Sequence, residues 1–454
     1  MASLMDRSSQ KIVEYAEALR VQDLTPACIR ETQHHLLDSI GCVLGGFDSP
    51  PSRIARAFSR SVSAQPGARV FGDGNLSAPD VAAFANTVML RYLDFNDTFV
   101  AGSQHPSDMV PGILAVAEAT HAPGAEVLLA IVLGYEIAGA LAASVSLRPL
   151  GWDQGTFLGL ATAVAAGKLM RLSSEQLGNA LSLALVPHIP LRQTRAGELS
   201  MWKGCATAAA IRNGVFAAQL AHLGMTGPPE PFEGKDGLWE RVTGPFEFSL
   251  PSQADGFILQ QTSLKLHPSE YHSQAFLDLV PAILSCASVD QIAAIDVETY
   301  WLCYSEIGSD PAKWQPDSRE TADHNLPFIL AIGLRDGSLT LDSFADGNLQ
   351  DPRLRAFMQR IKVEHNAEFT RRFPEELVSR LAVTTRSGEK LVYDATYPKG
   401  HVRNPATQPD VDAKFDTLAA AVVTPEQRDA IRAAVAQLSE SDDTTTLVDR
   451  LVWA

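Results

Sequence analysis

Between Tyr92 and Asp108 the chain reads YLDFNDTFVAGSQHPSD, crowding carboxylates, a hydroxyl and an imidazole behind an apolar run. Asp94, Asp97, Thr98 and His105 are residue types that move and steer protons. An imidazole titrates near neutral pH, and a carboxylate can accept a proton or orient the ring that does. The same residues also suit a helix C-terminus with capping Asp and Thr and a loop histidine beyond it. A second group, LRQTRAGELSMWK (191–203), sets Arg192, Arg195 and Lys203 close together in an acidic protein. Guanidinium forks match carboxylates in shape, and Lys adds a point charge; the competing reading is a solvated loop with surface ion pairs. A third group, KLHPSEYH (265–272), holds Lys265, His267, Glu270, Tyr271 and His272. Its histidines lack the i, i+4 spacing of helical metal pairs, and Pro268 interrupts any helix through them. Acid–base work or anion binding fits better than a metal, against the alternative of a hinge whose Glu270 caps the next helix. Lys399, His401 and Arg403 in YPKGHVR (397–403) could help hold an anion or form a plain re-entry loop. His324 precedes an apolar helix as an N-terminal or interface residue. His34 and His35 fall on a helix with no charged cluster beside them in sequence, so no role is expected of them.

Composition narrows the partners. The 454 residues carry 53 acidic and 37 basic side chains, a net charge of −16. There is no basic stripe of the kind that binds nucleic acid. An anionic substrate would have to be gathered by local cations against the field of the whole protein. The five cysteines, Cys28, Cys42, Cys205, Cys286 and Cys303, are scattered, with no CxxC pair. That spacing supports neither a disulfide framework nor a thiolate-held cluster, and it fits a reducing cytoplasm. The N-terminus has no apolar run after a basic start, so no secretory signal is expected. Val127–Leu147 is long enough to span a bilayer, but Glu136 in its middle argues for a buried core helix and no membrane contact. A GxSxG elbow, a GxGxxG turn and a Walker loop are all lacking, which removes the usual support for hydrolase, dinucleotide and nucleotide readings.

These groups need elements to hold them. Apolar residues at helical spacing predict helices over 26–46, 78–92, 108–120, 125–146, 155–170, 174–186 and 203–223, many of them Ala-rich. Near residue 265 the texture changes. Gln291–Tyr300 alternates as a half-buried strand does, and Leu381–Tyr393 reads as a hairpin turning at Ser387-Gly388. Helical segments are expected at 272–286 and 322–334, and helix returns from about 409. The expectation is a mainly α protein. Residues 1–264 and 405–454 would form a large helical domain and 265–404 a smaller α+β domain, with a cleft as the place for a ligand.

The segments LLDSIGCVLGG (36–46), YLDFNDTF (92–99), QHPSD (104–108), GWDQGTFLGLATAVAAGKLMRL (151–172), MWKGCATAAAIRNGVFAAQLAHLGMTGP (201–228), KLHPSEYHSQA (265–275) and YPKGH (397–401) resemble the MmgE/PrpD family, and together they run over most of the chain. The resemblance implies a large helical domain with an α+β lid, in a homodimer. It implies an enzyme without metal or other cofactor that dehydrates a small polycarboxylate such as 2-methylcitrate. Sister activities in the family are decarboxylation of cis-aconitate and epimerisation of iminodisuccinate. By this resemblance Asp94, Thr98, His105 and His272 are catalytic, and Arg192, Arg195, Lys203, Lys265 and Asp153 bind substrate. Tyr300 is the candidate for a tyrosine of the lid. Asp153 stands where the decarboxylases that this chain resembles carry a histidine, which turns the expectation toward dehydration. A non-catalytic binder of organic acids is the reading from another class, and it would not need the Asp94, Thr98 and His105 set.

Overall fold

The computed structural model describes residues 5–197, 199–251, 256–310 and 314–453. Two compact units form: Met1–Arg195 with Met201–Thr262 and Thr407–Ala454, and Ala196–Ser200 with Ser263–Ala406.

The first unit is helical. Its main helices are α1 (Arg7–Ala18), α2 (Pro26–Gly46), α3 (Pro50–Ser59), α4 (Pro79–Arg91), α5 (Val110–Ala119), α6 (Gly124–Ser144), α7 (Gly155–Leu169), α8 (Ser174–Leu185) and α9 (Ala206–His222), joined by Gln408–Ala419 and Pro425–Ala436 late in the chain. Local chemistry sets their starts. Thr25 accepts from the Cys28 N–H at 3.1 Å with Pro26 as the first helical residue, and Ser173 and Gln176 form a reciprocal capping box ahead of α8. Helices α6 and α7 are apolar all round and buried on every face, as innermost helices must be. Small residues let their neighbours come close. A Cβ on Gly159 of α7 would lie 2.8 Å from the Ala210 carbonyl oxygen of α9, and one on Gly214 of α9 would lie 2.3 Å from the Gly159 oxygen. The two backbones therefore touch where any larger side chain would hold them apart. The remaining strands of this unit, β1 (Ala68–Arg69) and β2 (Leu76–Ser77), form only a short antiparallel ribbon.

Helix α6 is long and apolar enough to cross a membrane, yet 89% of its most apolar stretch is buried inside the protein. Its Glu136 is fully buried, and Oε1 accepts the Leu259 N–H at 3.3 Å. The carboxyl thus anchors the turn Ile258–Gln261, just before the chain leaves this unit at Thr262.

The second unit is built on a four-stranded sheet in the order β4-β3-β5-β6, with β3 Ile292–Thr299, β4 Ile361–His365, β5 Ser379–Thr385 and β6 Lys390–Ala395. Strand β4 runs parallel to β3, and the others are antiparallel. The β5–β6 turn carries Gly388 at φ +89, a conformation that glycine adopts without a Cβ clash. The helix expected over 272–286 is broken into Gln274–Asp278 and Val280–Cys286, because Pro281 cannot continue the first segment. The helix expected from 322 begins at Leu326, where Asn325 caps it through the Phe328 N–H at 2.8 Å. The parallel edge strand β4 was not expected. It is five residues long, and its partner lies far away in sequence, so no local pattern announces it.

Burial pushes the Glu136 carboxyl up to about 8, against the backbone N–H groups of Leu259 and Ile258, which pull it down. The unfolded chain ionises this group near 4.5. The stability that Glu136 contributes is therefore complete below 4.5 and is lost as pH rises toward 8. Glu136→Gln should gain on the wild type across that window, by at most ~1.4 kcal/mol per pH unit. Urea unfolding at pH 5 and pH 8 checks this, and a gap that stays constant between the two pH values contradicts it.

Candidate active site

Helix α4 stops at Arg91, and the chain turns sharply three residues later: Asp94 has φ +51 while only 2% exposed. A non-glycine residue held in the left-handed region costs on the order of 1 kcal/mol or more, and persists where its surroundings over-determine it. Those surroundings are visible. Arg91 donates to Asp94 Oδ1, and its Nε lies 3.5 Å from Asp108 Oδ2. Asn96 donates to Ser107 Oγ at 2.8 Å and to Asp108 Oδ1 at 2.9 Å. Phe99 and Gln104 exchange main-chain hydrogen bonds of 2.8 and 3.2 Å, which close the tip of the loop.

Asp97 is the hub. One carboxylate oxygen accepts from the Ser107 N–H at 3.1 Å and hydroxyl at 2.6 Å. The other accepts from the Tyr135 hydroxyl at 2.7 Å and meets His35 Nδ1 at 3.0 Å. Burial alone would raise its pKa, but the bond and charge of His35 outweigh that and hold Asp97 ionised below its usual value. Burial also opposes the His35 cation, and the bond to Asp97 with its charge more than offsets it. His35 was expected to have no role; Glu31 and Asp38 lie one turn away on its own helix, and the fold brings Asp97 to its Nδ1.

His105 hangs from this hub. Its Nδ1 lies 2.6 Å from the main-chain oxygen of Asp97 and 3.2 Å from Thr98 Oγ1, and its N–H donates to Gln154 Oε1 at 3.0 Å, just ahead of α7. A carbonyl oxygen can only accept, so Nδ1 carries the proton. In the neutral ring Nε2 is then the basic nitrogen, and it faces Asp94 Oδ1 at 3.8 Å. A proton arriving there is stabilised by that carboxylate. Lys203, 4% exposed, places Nζ 3.9 Å from the other Asp94 oxygen.

Arg195 supplies a second cation. Its Nε donates to Asp153 Oδ2 at 2.6 Å, and Asp153 Oδ1 takes the Gly155 N–H at 3.1 Å. Both Asp153 oxygens are thus used within the protein, and Asp153 serves to orient Arg195. Among the described residues the buried Arg195 Nη2 atom has no hydrogen-bond partner. Burial, followed by the like charges of Arg148 and Arg195, pushes the Arg192 guanidinium down to about 10. Asp108 is raised to about 6 by burial, with Arg91 opposing the rise. The first unit thus brings Asp94, Thr98, His105 and Lys203 together, with Arg192, Arg195 and Asp153 forming a neighbouring basic group.

In the second unit Lys265 is 1% exposed. His272 Nδ1 lies 2.5 Å from the hydroxyl of Tyr300, a buried ring stacked on Phe373. Among the described residues that hydroxyl has this one hydrogen-bond partner, and a buried O–H left without an acceptor is costly, so Tyr300 donates. His272 therefore carries its proton on Nε2, 3.8 Å from Glu270 Oε1. The two histidines hold opposite tautomers, which residue types alone could not reveal. Glu270 also caps the turn Tyr271–Ser273 through the His272 N–H at 2.8 Å. His267 pairs with Asp278 at 3.0 Å, so the two histidines of this segment turn to different partners. In the fourth group burial, helped by Arg403, takes His401 down to about 4. The ring is neutral and accepts the Arg403 N–H at 3.0 Å. That is the arrangement of a structured turn.

Residues 10–251 match the MmgE/PrpD N-terminal domain and residues 267–440 the MmgE/PrpD C-terminal domain. The chain is 31% identical over 434 residues to the 2-methylcitrate dehydratase of Cupriavidus necator, an alignment covering 88% of this chain and 87% of that protein. It is 28% identical over 429 residues to the 2-methylcitrate dehydratase of Escherichia coli, covering 87% and 86%. It is 26% identical over 447 residues to the cis-aconitate decarboxylase of Mus musculus, covering 94% and 90%.

Arg91 offers a direct test of how the loop is held. Its guanidinium answers two buried carboxylates, so Arg91→Met should cost ~3–5 kcal/mol at pH 8 by leaving Asp94 and Asp108 uncompensated. The folded pKa of Asp108 lies above its unfolded value, so its contribution is lost as pH rises through about 6. Without Arg91 that pKa climbs further, and the deficit grows with pH. Denaturation at pH 5.5 and pH 8 should show the smaller deficit at the lower pH.

Proposed function

Because the chain belongs to the MmgE/PrpD family, we propose that it is a lyase that dehydrates a small polycarboxylate of the 2-methylcitrate kind. The observation that carries this reading is the tautomer of His105: Nδ1 is committed to a carbonyl, and the basic Nε2 faces Asp94 beside Lys203. Dehydration needs a base for a carbon-bound proton next to a carboxylate, and positive charge for the dianionic carboxylate that develops as the proton leaves. His105 Nε2 takes the proton, with Asp94 stabilising the imidazolium. Lys203 and Arg195 meet the developing charge, and the crowding of Arg192 by Arg148 and Arg195 is relieved by an anionic ligand. The hydroxyl on the adjacent carbon leaves as water after receiving a proton. His272, with its Nε2–H, is assigned as that acid and Lys265 as a further cation, on the family resemblance and their local geometry.

Dehydration is favoured over decarboxylation because Asp153 is occupied in holding Arg195 rather than offering an imidazole to the substrate. The homodimer that the resemblance implies is proposed as the working form. Sedimentation should give twice the 48.9 kDa chain mass, and a monomer that turns over substrate contradicts it.

The assay is ultraviolet and NMR observation of purified protein with 2-methylcitrate, citrate, cis-aconitate and iminodisuccinate, with and without a chelator. A rise in enoate absorbance from 2-methylcitrate, unchanged by the chelator, is the expected result. His105→Ala should keep the fold and lose at least ~100-fold in kcat. Itaconate from cis-aconitate, or inversion of iminodisuccinate, with no enoate formed would overturn dehydration in favour of a sister reaction. Tight binding with no product would return the protein to an organic-acid binder.

A further inference from the structure

Three side chains that the proposed reaction never touches converge behind His105. His35 comes from α2, Tyr135 from α6 and Asp97 from the loop, and all three are fully buried. His35 and Tyr135 address the same Asp97 oxygen, and their rings meet edge to face at 5.6 Å. The charged groups around them are Glu31, 3.7 Å from His35 Nε2, together with Asp38 and its ion pair with Lys414 at 2.5 Å. Lys414 also donates to the Phe95 main-chain oxygen at 2.6 Å, two residues before Asp97.

Stability does not require such a group. Taking an ion pair out of water costs several kcal/mol per ion, and apolar residues of equal volume often stabilise a core as well or better. What the group accomplishes is geometric. The second Asp97 oxygen is spent on the Ser107 N–H and hydroxyl, so one carboxylate ties the start of the loop to the residue two beyond His105. With that side chain clamped from α2 and α6, the Asp97 peptide plane is fixed and its carbonyl is aimed at His105 Nδ1. Were the plane to swing, the Nδ1 proton would lose its acceptor. The ring could then protonate Nε2 instead, the atom that must be unprotonated in a base.

We propose that His35, Asp97 and Tyr135 form a positioning unit that sets the tautomer of His105 through the main-chain carbonyl of Asp97. The catalytic consequence rests on the reading of His105 as the base; the tautomer itself is a property of the protein without substrate.

The test labels the histidine ring nitrogens with 15N in deuterated protein and assigns His105 by its disappearance in His105→Gln. The wild type should show His105 as the Nδ1–H tautomer. Tyr135→Phe, which removes one oxygen, and His35→Leu should move His105 wholly or partly to the Nε2–H form. In the proposed reaction kcat should fall roughly 10- to 100-fold with KM within about twofold, the scale on which partners behind a catalytic ligand act. His35→Asn, whose amide nitrogen can replace the Nδ1 donor, should restore the wild-type signals and most of kcat. His105 signals that remain Nδ1–H in both Tyr135→Phe and His35→Leu overturn the proposal, whatever happens to stability. If His35→Leu does not fold, Tyr135→Phe decides alone. A wild type that turns over no polycarboxylate would sink the reaction assigned above and leave the nitrogen spectra to be read as before.

Discussion

A single buried carboxylate organises the candidate site. Asp97 is met by two donors of Ser107, which close its own loop, and by the Tyr135 hydroxyl and His35, which reach it from α6 and α2. A carboxylate in a low-dielectric interior is tolerated only when its lone pairs are answered in this way. The answer holds the loop, and the loop holds His105. The left-handed turn at Asp94 is the companion constraint: it brings a second carboxylate back toward the ring while Arg91 pays for its burial.

Charge is handled locally throughout. A chain with net charge −16 repels anions at long range, so recognition of a polyanion depends on cations that are close and oriented. Lys203 and Arg195 are each set by a buried carboxylate, Asp94 and Asp153, which fixes the cation and lowers the cost of burying it. Arg192 is crowded by like charge.

The helical bundle explains how so polar a loop can lie inside a core. Helices α7 and α9 approach through Gly159 and Gly214, and with the buried α6 they form an apolar wall. Tyr135 projects from α6, and Gln154 stands at the start of α7, so the loop that carries His105 is tied to two buried helices. Positioning from helices is tighter than positioning from neighbouring loop residues, whose own backbones move.

Much was determined by the sequence itself. Apolar periodicity and capping residues placed α2, α4 and α6–α9 to within a few residues, since those signals are local. The alternation in Gln291–Tyr300 and the Ser387-Gly388 turn marked β3 and the β5–β6 hairpin for the same reason. The residue types in YLDFNDTFVAGSQHPSD marked the loop that carries His105. Tertiary structure decided the rest, because it depends on which distant groups meet. Strand β4 acquires its partner only when the chain folds back on β3. His35 looked idle on its helix and became the counterion of Asp97, and Asp153 became the support of Arg195. The tautomers of His105 and His272 were settled by a main-chain carbonyl and a tyrosine hydroxyl. A sequence names the titratable groups, but the atom on which each proton rests is fixed by hydrogen-bond partners that only the folded chain supplies.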